Sequence, residues 1–531
     1  MAFDLRNFDD NTLSEDYLAY LVEQEAVDAH VHFSRLWDHF RNPLQPATGL
    51  SADALNANSR PYFQAQEAHL PTRITGISRL GIGGEQMTDI ARKEVVIEND
   101  IGWRVQTMVD FLFGKPLSIR SLAPDAARAQ MIEAVIHALL EANGGIAFFQ
   151  ELALLGAVYG FVDVVLRTPS DWFTLPVAIP PTGTPQSAAD GPRAGAVPPP
   201  TSAANLERVL RLAERIGLET IDAPRVLPIL DDDDYRHVRY WIQCFRKQVP
   251  QLDVAGRPFE SFGWAGRREL GPRTVEVVEI IGPDWFQRYE DRVLLAEGPN
   301  RLGRLSVVHV QNVALPGQYE GLSDVEPLIP LQDELNTRLS DRASRVTFQS
   351  FKMYLAKGIE GFLERPVGPG QMWSTHNQQA SIEEFGHDSG SPSEEAHVQQ
   401  IRHALDKVSG VTPLAAGLIQ GAVGNLTSAT ALRVLLSGLL SRTHRKQITY
   451  GRGLAQIVEL ALELLDRCGV LRTSPAERKV EIHWPSPLPE DEGQRLANAQ
   501  VKLSLGVPRQ RVLTELGYDA QMLAGDVDVQ V

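Results

Sequence analysis

Residues 321–352 read GLSDVEPLIPLQDELNTRLSDRASRVTFQSFK. A glycine-led turn runs into a long helix whose apolar positions are Leu328, Leu331, Leu335, Leu339, Ala343 and Val346. Steps of three and four put these on one narrow stripe of a helix. The other faces carry Asp333, Glu334, Arg338, Asp341, Arg342 and Arg345. A helix polar over most of its circumference is ill suited to the middle of a monomer's core. It suits a helix packed against copies of itself with another face left to water, so the stretch predicts an assembly.

The chain has 531 residues, room for roughly three to four domains. Hydrophobic residues are 43% and charged residues 22%, the balance of a folded protein rather than a disordered one. A net charge of −16 argues against a tight hold on phosphates. An acidic chain can still touch DNA through a local basic ring, or line a repulsive, non-sticking tube. Cys244 and Cys468 each lack a second cysteine nearby, which excludes a zinc ribbon or a disulfide framework and predicts a reducing compartment. MAFDLRNFDDNTLSED shows no basic-then-apolar leader. The longest apolar run, 152–162, stops at Asp163 and is too short to span a bilayer, so a soluble protein with no membrane partner is expected.

The first 150 residues read mostly helical. Helices are expected over 13–40, over 94–119 with an end at Gly114 before Lys115-Pro116, and over 122–143 between Pro124-Asp125 and Gly144-Gly145. Strands follow at 159–167, 235–245, 274–281 and 304–310, each β-branched or aromatic with partial alternation. The proline-rich interval 176–202 cannot build a core and reads as a mobile surface insertion. Beyond the opening helix, 353–390 reads as a small strand-and-turn unit and 392–409 as a helix with an acidic first turn. An apolar, glycine-rich loop follows at 413–426. The longest helical pattern, 428–467, would reach about 60 Å if straight, and Gly451 and Gly453 predict a bend within 441–453. The stretch 485–531 is proline-rich and then helical, with a second short helix ending at Gly517.

The sharpest enzyme-like string is Asp28-Ala29-His30-Val31-His32. On a strand, an HxH pair points two imidazoles to one face, as metal-dependent amidohydrolases use at the start of a barrel. That chemistry needs further ligands on later strands of a regular βα series, and none is evident. A metal-dependent hydrolase using His30 and His32 is therefore the alternative reading, with surface or packing histidines preferred. Asp231 to Asp234 lack the spacing of a calcium loop and read as a solvated turn. His387-Asp388-Ser389 holds the residue types of a hydrolase triad, but sequence neighbours rarely meet in triad geometry and no G-x-S-x-G elbow exists. Gly81-Ile82-Gly83-Gly84 lacks the Lys-Ser/Thr of a phosphate loop. No enzyme activity, cofactor or metal is expected. The densest positive patch, Arg442, His444, Arg445, Lys446 and Arg452, reads equally as a phosphate-facing cluster and as a solvated helix face paired with acidic neighbours. Leu414, Leu418, Ile419 and Val423 sit between glycines, either in a packed connection or projecting into a shared lumen.

In order along the chain, several segments resemble the portal proteins of tailed bacteriophages. Residues 94–119 resemble a helix ending in "FLFGKP", 152–167 the strand that follows, and 299–315 the strand before a long helix. Residues 321–336 resemble "G.SD.E.LI.L.DELN". Residues 405–432 resemble a second long helix, a loop and an "SG.AL" opening, with Ala429 standing where the family commonly has glycine. Residues 481–517 resemble an acidic "PLP.DE" link. Each match is weak by itself; together they are ordered over about 90–520, leaving 1–90 and 176–202 unaccounted for.

The resemblance implies an α+β, mainly helical fold with wing, stem, clip and crown, assembled head to tail into a ring of about twelve copies. Residues 1–324 would be the wing, 325–352 the first stem helix, 353–390 the clip and 391–412 the second stem helix. The tunnel loop would be 413–426, with Leu414, Leu418, Ile419 and Val423 in it. The long wing helix and its following strand would take 427–484, and the crown 485–531. Arg338, Arg342, Arg345 and Arg402 would form inter-subunit pairs or face a channel. The implied function is a capsid-vertex channel for packaging and ejecting double-stranded DNA. Implied partners are terminase, a head–tail adaptor, and major capsid or scaffolding protein. The location would be the virion, with the host cytoplasm before assembly.

Overall fold

The computed structural model describes residues 3–5, 8, 13–46, 62–75, 94–169, 203–234, 237–249, 273–350, 353–357, 379–385, 392–416, 433–488, 492–509, 512–513 and 516. Its helices are α1 (Glu15–Tyr20), α2 (Ala26–Arg41), α3 (Thr72–Thr75), α4 (Asp100–Phe113), α5 (Ala126–Ala142), α6 (Ile146–Tyr159), α7 (Ala203–Ala213), α8 (Ile329–Ser350), α9 (Pro392–Ser409), α10 (Ser437–Arg467) and α11 (Glu492–Ser504). Its strands are β1 (Leu44–Pro46), β2 (Tyr62–Gln64), β3 (Ser118–Ser121), β4 (Phe161–Arg167), β5 (Gly217–Asp222), β6 (Val226–Leu230), β7 (Val238–Val249), β8 (Arg273–Ile281), β9 (Trp285–Glu290), β10 (Val293–Pro299), β11 (Val307–Gln311), β12 (Met353–Lys357), β13 (Ser381–Phe385) and β14 (Val480–His483). The fold is α+β and mainly helical, as the sequence predicts.

Strand β4 is the hub. Its FVDVVLR is buried up to the final arginine, the pattern of a strand covered on both faces. It pairs antiparallel with β11, Val164 opposite Val308, and with β5, Val164 opposite Thr220. Helices α5, α6, α7 and α10 share one core with this sheet. Asp125 opens α5 by accepting from the Arg128 N–H, one of the donors a helix start leaves unpaired. Helix α6 stops at Gly160 in a left-handed conformation, φ 95°, and a Cβ there would fall 2.3 Å from the Gly321 carbonyl oxygen. Among the described residues no single helix is long and apolar enough to cross a membrane.

A second core joins α2, α4, α6, α8 and α9. A third joins Phe3, Phe8 and Leu18 to the antiparallel sheet ordered β10-β9-β8-β7-β6. All four expected strands are present with ends shifted by a few residues, and Asp231 to Asp234 lie in the connection from β6 to β7. The segments 81–84, 176–202 and 387–389 lie outside the described residues.

One expectation fails, for a physical reason. Residues 94–99 are not the start of a helix; they run extended along α8. Gln332, Asn336 and Ser340 are fully buried on α8 and supply the hydrogen bonds of a missing strand. The Gln332 Oε1 accepts from the N–H groups of Asp100 (3.0 Å) and Ile101 (3.2 Å), Asn336 Oδ1 from that of Glu98 (3.0 Å), and Ser340 Oγ from that of Val96 (3.0 Å). Four residues of helix rise about 6.0 Å and two residues of strand about 6.6 Å, so the two periods run nearly in step. Through 441–453, where a bend is expected, α10 is one uninterrupted helix. A Cβ on Gly453 would lie 2.5 Å from Val310 of β11, so that glycine serves close packing. The apolar pattern lapses there because Thr443 and Lys446 are buried polar residues with partners.

Candidate functional site

Helices α8 and α9 lie side by side, joined through the antiparallel pair β12–β13, Leu355 opposite Glu383. Leu328 and Leu335 of the α8 stripe are buried with Val398, Ile401 and Leu405 of α9, whereas Val346 is exposed. Ion pairs run down the outside in antiparallel order: Arg345 with Glu394, Arg342 with Glu395 at 2.7 Å, and Glu334 near His397 at 3.4 Å. The Gln399 amide, then the Arg342 guanidinium, hold the Glu395 carboxyl below its ordinary range. Arg338 pairs with Glu334 on its own helix, and Arg402 reaches Glu98 at 2.7 Å. Arg338, Arg342, Arg345 and Arg402 therefore all have partners within the chain.

The GLSD turn before α8 is a structural joint. Gly321 packs backbone to backbone on Gly160, and a Cβ on it would lie 2.4 Å from the Gly160 carbonyl oxygen. Ser323 Oγ donates to the Val158 carbonyl (2.6 Å) and accepts from the Val325 and Glu326 N–H groups, capping the turn that leads into α8. Asp324 is buried, accepts from Asn312 Nδ2 at 3.1 Å, and forms an ion pair with Lys446 of α10. Tyr450, one turn on, donates to Asn312 Oδ1 at 3.1 Å, and burial pushes its phenol well above its ordinary value. Lys446 is only 3% exposed. This corrects the reading of Arg442, Arg445 and Lys446 as one surface cluster, because a buried ammonium needs a carboxylate more than water-facing neighbours do. Arg442 is half-buried and donates to the Val408 carbonyl; burial lowers its guanidinium from its ordinary value. His444 and Arg445 are exposed.

Arg104 of α4, buried and not singled out in the sequence, ties α9 to the segment that follows it. It pairs with Asp100 (3.0 Å) and Asp406 (2.7 Å), and it donates to Ser409 Oγ (2.9 Å) and to the Val411 carbonyl. Leu414 comes next, half-buried in the turn Pro413–Ala416. Leu418, Ile419 and Val423 lie outside the described residues. The only clue to Arg104 in the sequence was its i, i+4 spacing from Asp100, a pairing ordinary on any helix surface.

The premise of the hydrolase alternative is absent. His30 and His32 are on α2, not on a strand, and both are exposed. Two residues along a helix turn about 200°, so the two rings diverge. His30 Nε2 lies 3.4 Å from Ser34 Oγ, and His32 stands edge-on to Phe33. A cleft between α2 and α4, lined by Trp37, Phe40, Arg41, Asn99 and Trp103, contains neither a carboxylate nor a histidine.

Residues 284–517, which include this whole unit, match the family of phage portal proteins, SPP1 Gp6-like. This stretch is similar to the portal proteins of that family. It runs from the start of β9 through α8, α9 and α10 to beyond α11, and over these residues the resemblance read from the sequence holds. No curated protein matches the chain. Among solved structures, it is similar to a chain in the virion of a native gene transfer agent particle, at 11% identity and TM-score 0.38, covering 78% of this chain and 89% of that one. It is similar also to a chain in the neck of an empty gene transfer agent particle, at 12% identity and TM-score 0.41, covering 79% and 90%. The matched stretch holds Arg338, Arg342, Arg345, Arg402, Arg442 and Arg445, and it excludes Arg104, His30 and His32.

Proposed function

We propose that this chain is a portal subunit of a tailed phage or prophage, a structural protein without catalysis of its own. It acts as a ring at one capsid vertex, passes double-stranded DNA during packaging and ejection, docks terminase, and later binds the head–tail adaptor. The carrying observation is the portal-family match over 284–517, which contains the helix, strand-pair, helix and long-helix series. In this reading 325–352 and 391–412 are the stem helices, 353–390 the clip, 413–426 the tunnel loop, 427–484 the long wing helix and strand, 1–324 the wing and 485–531 the crown. Arg338, Arg342, Arg345 and Arg402 stand on the stem for pairs between copies or for the channel, beside their partners within the subunit, and apolar groups add to the contacts between copies. Exposed Val346 of α8, Ile448 of α10, and Leu496, Val501 and Leu503 of α11 are apolar groups suited to that role.

In the loop, Leu418, Ile419 and Val423 form the lumen collar. Apolar groups make no lasting bonds to phosphates, so the collar grips by shape and lets DNA slide, and the acidic ring adds repulsion along the tube. Light scattering and electron micrographs of the purified protein test the assembly: closed rings are expected, and a strict monomer at all concentrations would end the proposal. Replacing Ile419 and Val423 with lysine should keep the rings and stall DNA translocation, while deletion of 358–380 should keep rings and abolish terminase-stimulated packaging. Unchanged packaging in either variant would remove the role given to that segment.

A further inference from the structure

Three side chains from separate parts of the chain converge where α2, the short turn Ala65–His69 and α8 meet. His39, in the last turn of α2, is fully buried. Its Nδ1 is 2.8 Å from the Arg35 carbonyl oxygen, and its Nε2 is 3.1 Å from Asp333 Oδ1 on α8. The His69 ring lies against it, centroids 4.4 Å apart and tilted by 39°. One ligand atom from each of His39, His69 and Asp333 lies within 4.8 Å of the others.

A carbonyl oxygen can only accept, so the Nδ1 of His39 carries the proton. Nε2 therefore faces the carboxylate oxygen either through a second ring proton or through a cation bound between them. The geometry points to a divalent transition-metal site, zinc foremost, held by His39 Nε2, an imidazole nitrogen of His69 and a carboxylate oxygen of Asp333. Two nitrogens and one oxygen are the donor set of such ions and unsuited to calcium or magnesium. Metal–ligand bonds of about 2.0–2.1 Å set tetrahedral ligand atoms about 3.3 Å apart, close to the His39–Asp333 separation. Bringing His69 to the same distance needs a side-chain adjustment on the order of 1 Å. The carbonyl at Nδ1 is the outer partner that orients a metal-bound histidine. Three protein ligands leave a fourth place for water.

The site has a structural purpose. His39 and His69 lie outside the portal-family match and Asp333 inside it, so the ion fastens this chain's own amino-terminal part to α8. Gln66 already bridges the same junction, donating to the His39 carbonyl (2.7 Å) and accepting from Asn336 Nδ2 (2.8 Å).

The test uses full-length protein without a histidine tag, stripped with EDTA and titrated with zinc chloride alone. About one zinc per chain should survive gel filtration, measured by elemental analysis, and the thermal midpoint should rise with zinc concentration. His69→Gln and Asp333→Asn should each weaken binding at least tenfold while leaving the metal-free midpoint near that of the unmodified chain. His39→Gln is less informative because that ring is part of the packed interior. The double variant His30→Gln/His32→Gln should bind as the original does. No retained zinc, an unmoved midpoint at saturating zinc, or binding by the His69 and Asp333 variants as tight as that of the unmodified chain would overturn the site. In the first two cases His39 and Asp333 would be an imidazolium–carboxylate pair.

Discussion

Replacing Lys446 with methionine separates a buried structural lysine from a DNA-facing one. Methionine keeps the length of the aliphatic stem, so packing changes little and the loss is the charge. Asp324, itself buried, would keep its hydrogen bond from Asn312 and lose its counter-ion. Stranding one member of a buried ion pair costs about 3–5 kcal/mol. For a cooperative unit of 150–250 residues each kcal/mol moves the thermal midpoint by roughly 2–4 °C, so the drop should be roughly 6–20 °C by circular dichroism. Asp324→Asn added to Lys446→Met removes the stranded charge yet retains an acceptor for Asn312, and it should recover at least half of the loss. Arg445→Met, one position away on the exposed face, should stay within about 0.5 kcal/mol of the original. If Lys446→Met proves no more harmful than Arg445→Met, the lysine faces water and the buried joint at the head of α8 is wrong.

Three further outcomes follow from the packing. Gly156→Ala should destabilise by about 1–3 kcal/mol, because its Cβ would lie 2.1 Å from the Tyr450 hydroxyl; Tyr450→Phe should relieve part of that loss, readable in a double-mutant denaturation cycle. Gln332→Leu should cost about 1–3 kcal/mol per stranded donor at Asp100 and Ile101, and hydrogen exchange should show those two amides losing protection. Burial raises the Cys468 thiol and pushes Cys244 up to about 12, so both should react with a disulfide reagent at pH 8 far more slowly than they do after denaturation; equal rates in both states would contradict the described burial.

Much of the architecture was legible because it rests on local signals. The helix over 392–409 begins and ends where its proline, acidic first turn and glycine place it, and the strands around β4 announce themselves by β-branched runs. What escaped reading depends on partners far apart in sequence. Gln332, Asn336 and Ser340 look like the wet side of an amphipathic helix until an extended segment from more than two hundred residues earlier lies along them. Lys446 looked like one of a basic patch because its counter-ion stands in another element. His39 and His69 carried no motif spacing, so nothing marked them until the fold brought Asp333 beside them. The His30/His32 pair misled in the opposite direction, since its chemistry required a strand and the local periodicity was helical.

The ladder of side chains on α8 also has a mechanical consequence. A helix held by greasy contacts alone can slip past its neighbour by small amounts, because apolar contacts are not directional. Here each rung names particular amides of 96–101, and a slip of one turn, about 5.4 Å, would break every rung at once. Helix α8 is therefore geared to α4, which begins at the last rung, and through Arg104 to the far end of α9. A push on any one of these three helices is delivered to the other two as a shared displacement, and the chain segment after α9 receives it as the output of a single stiff lever.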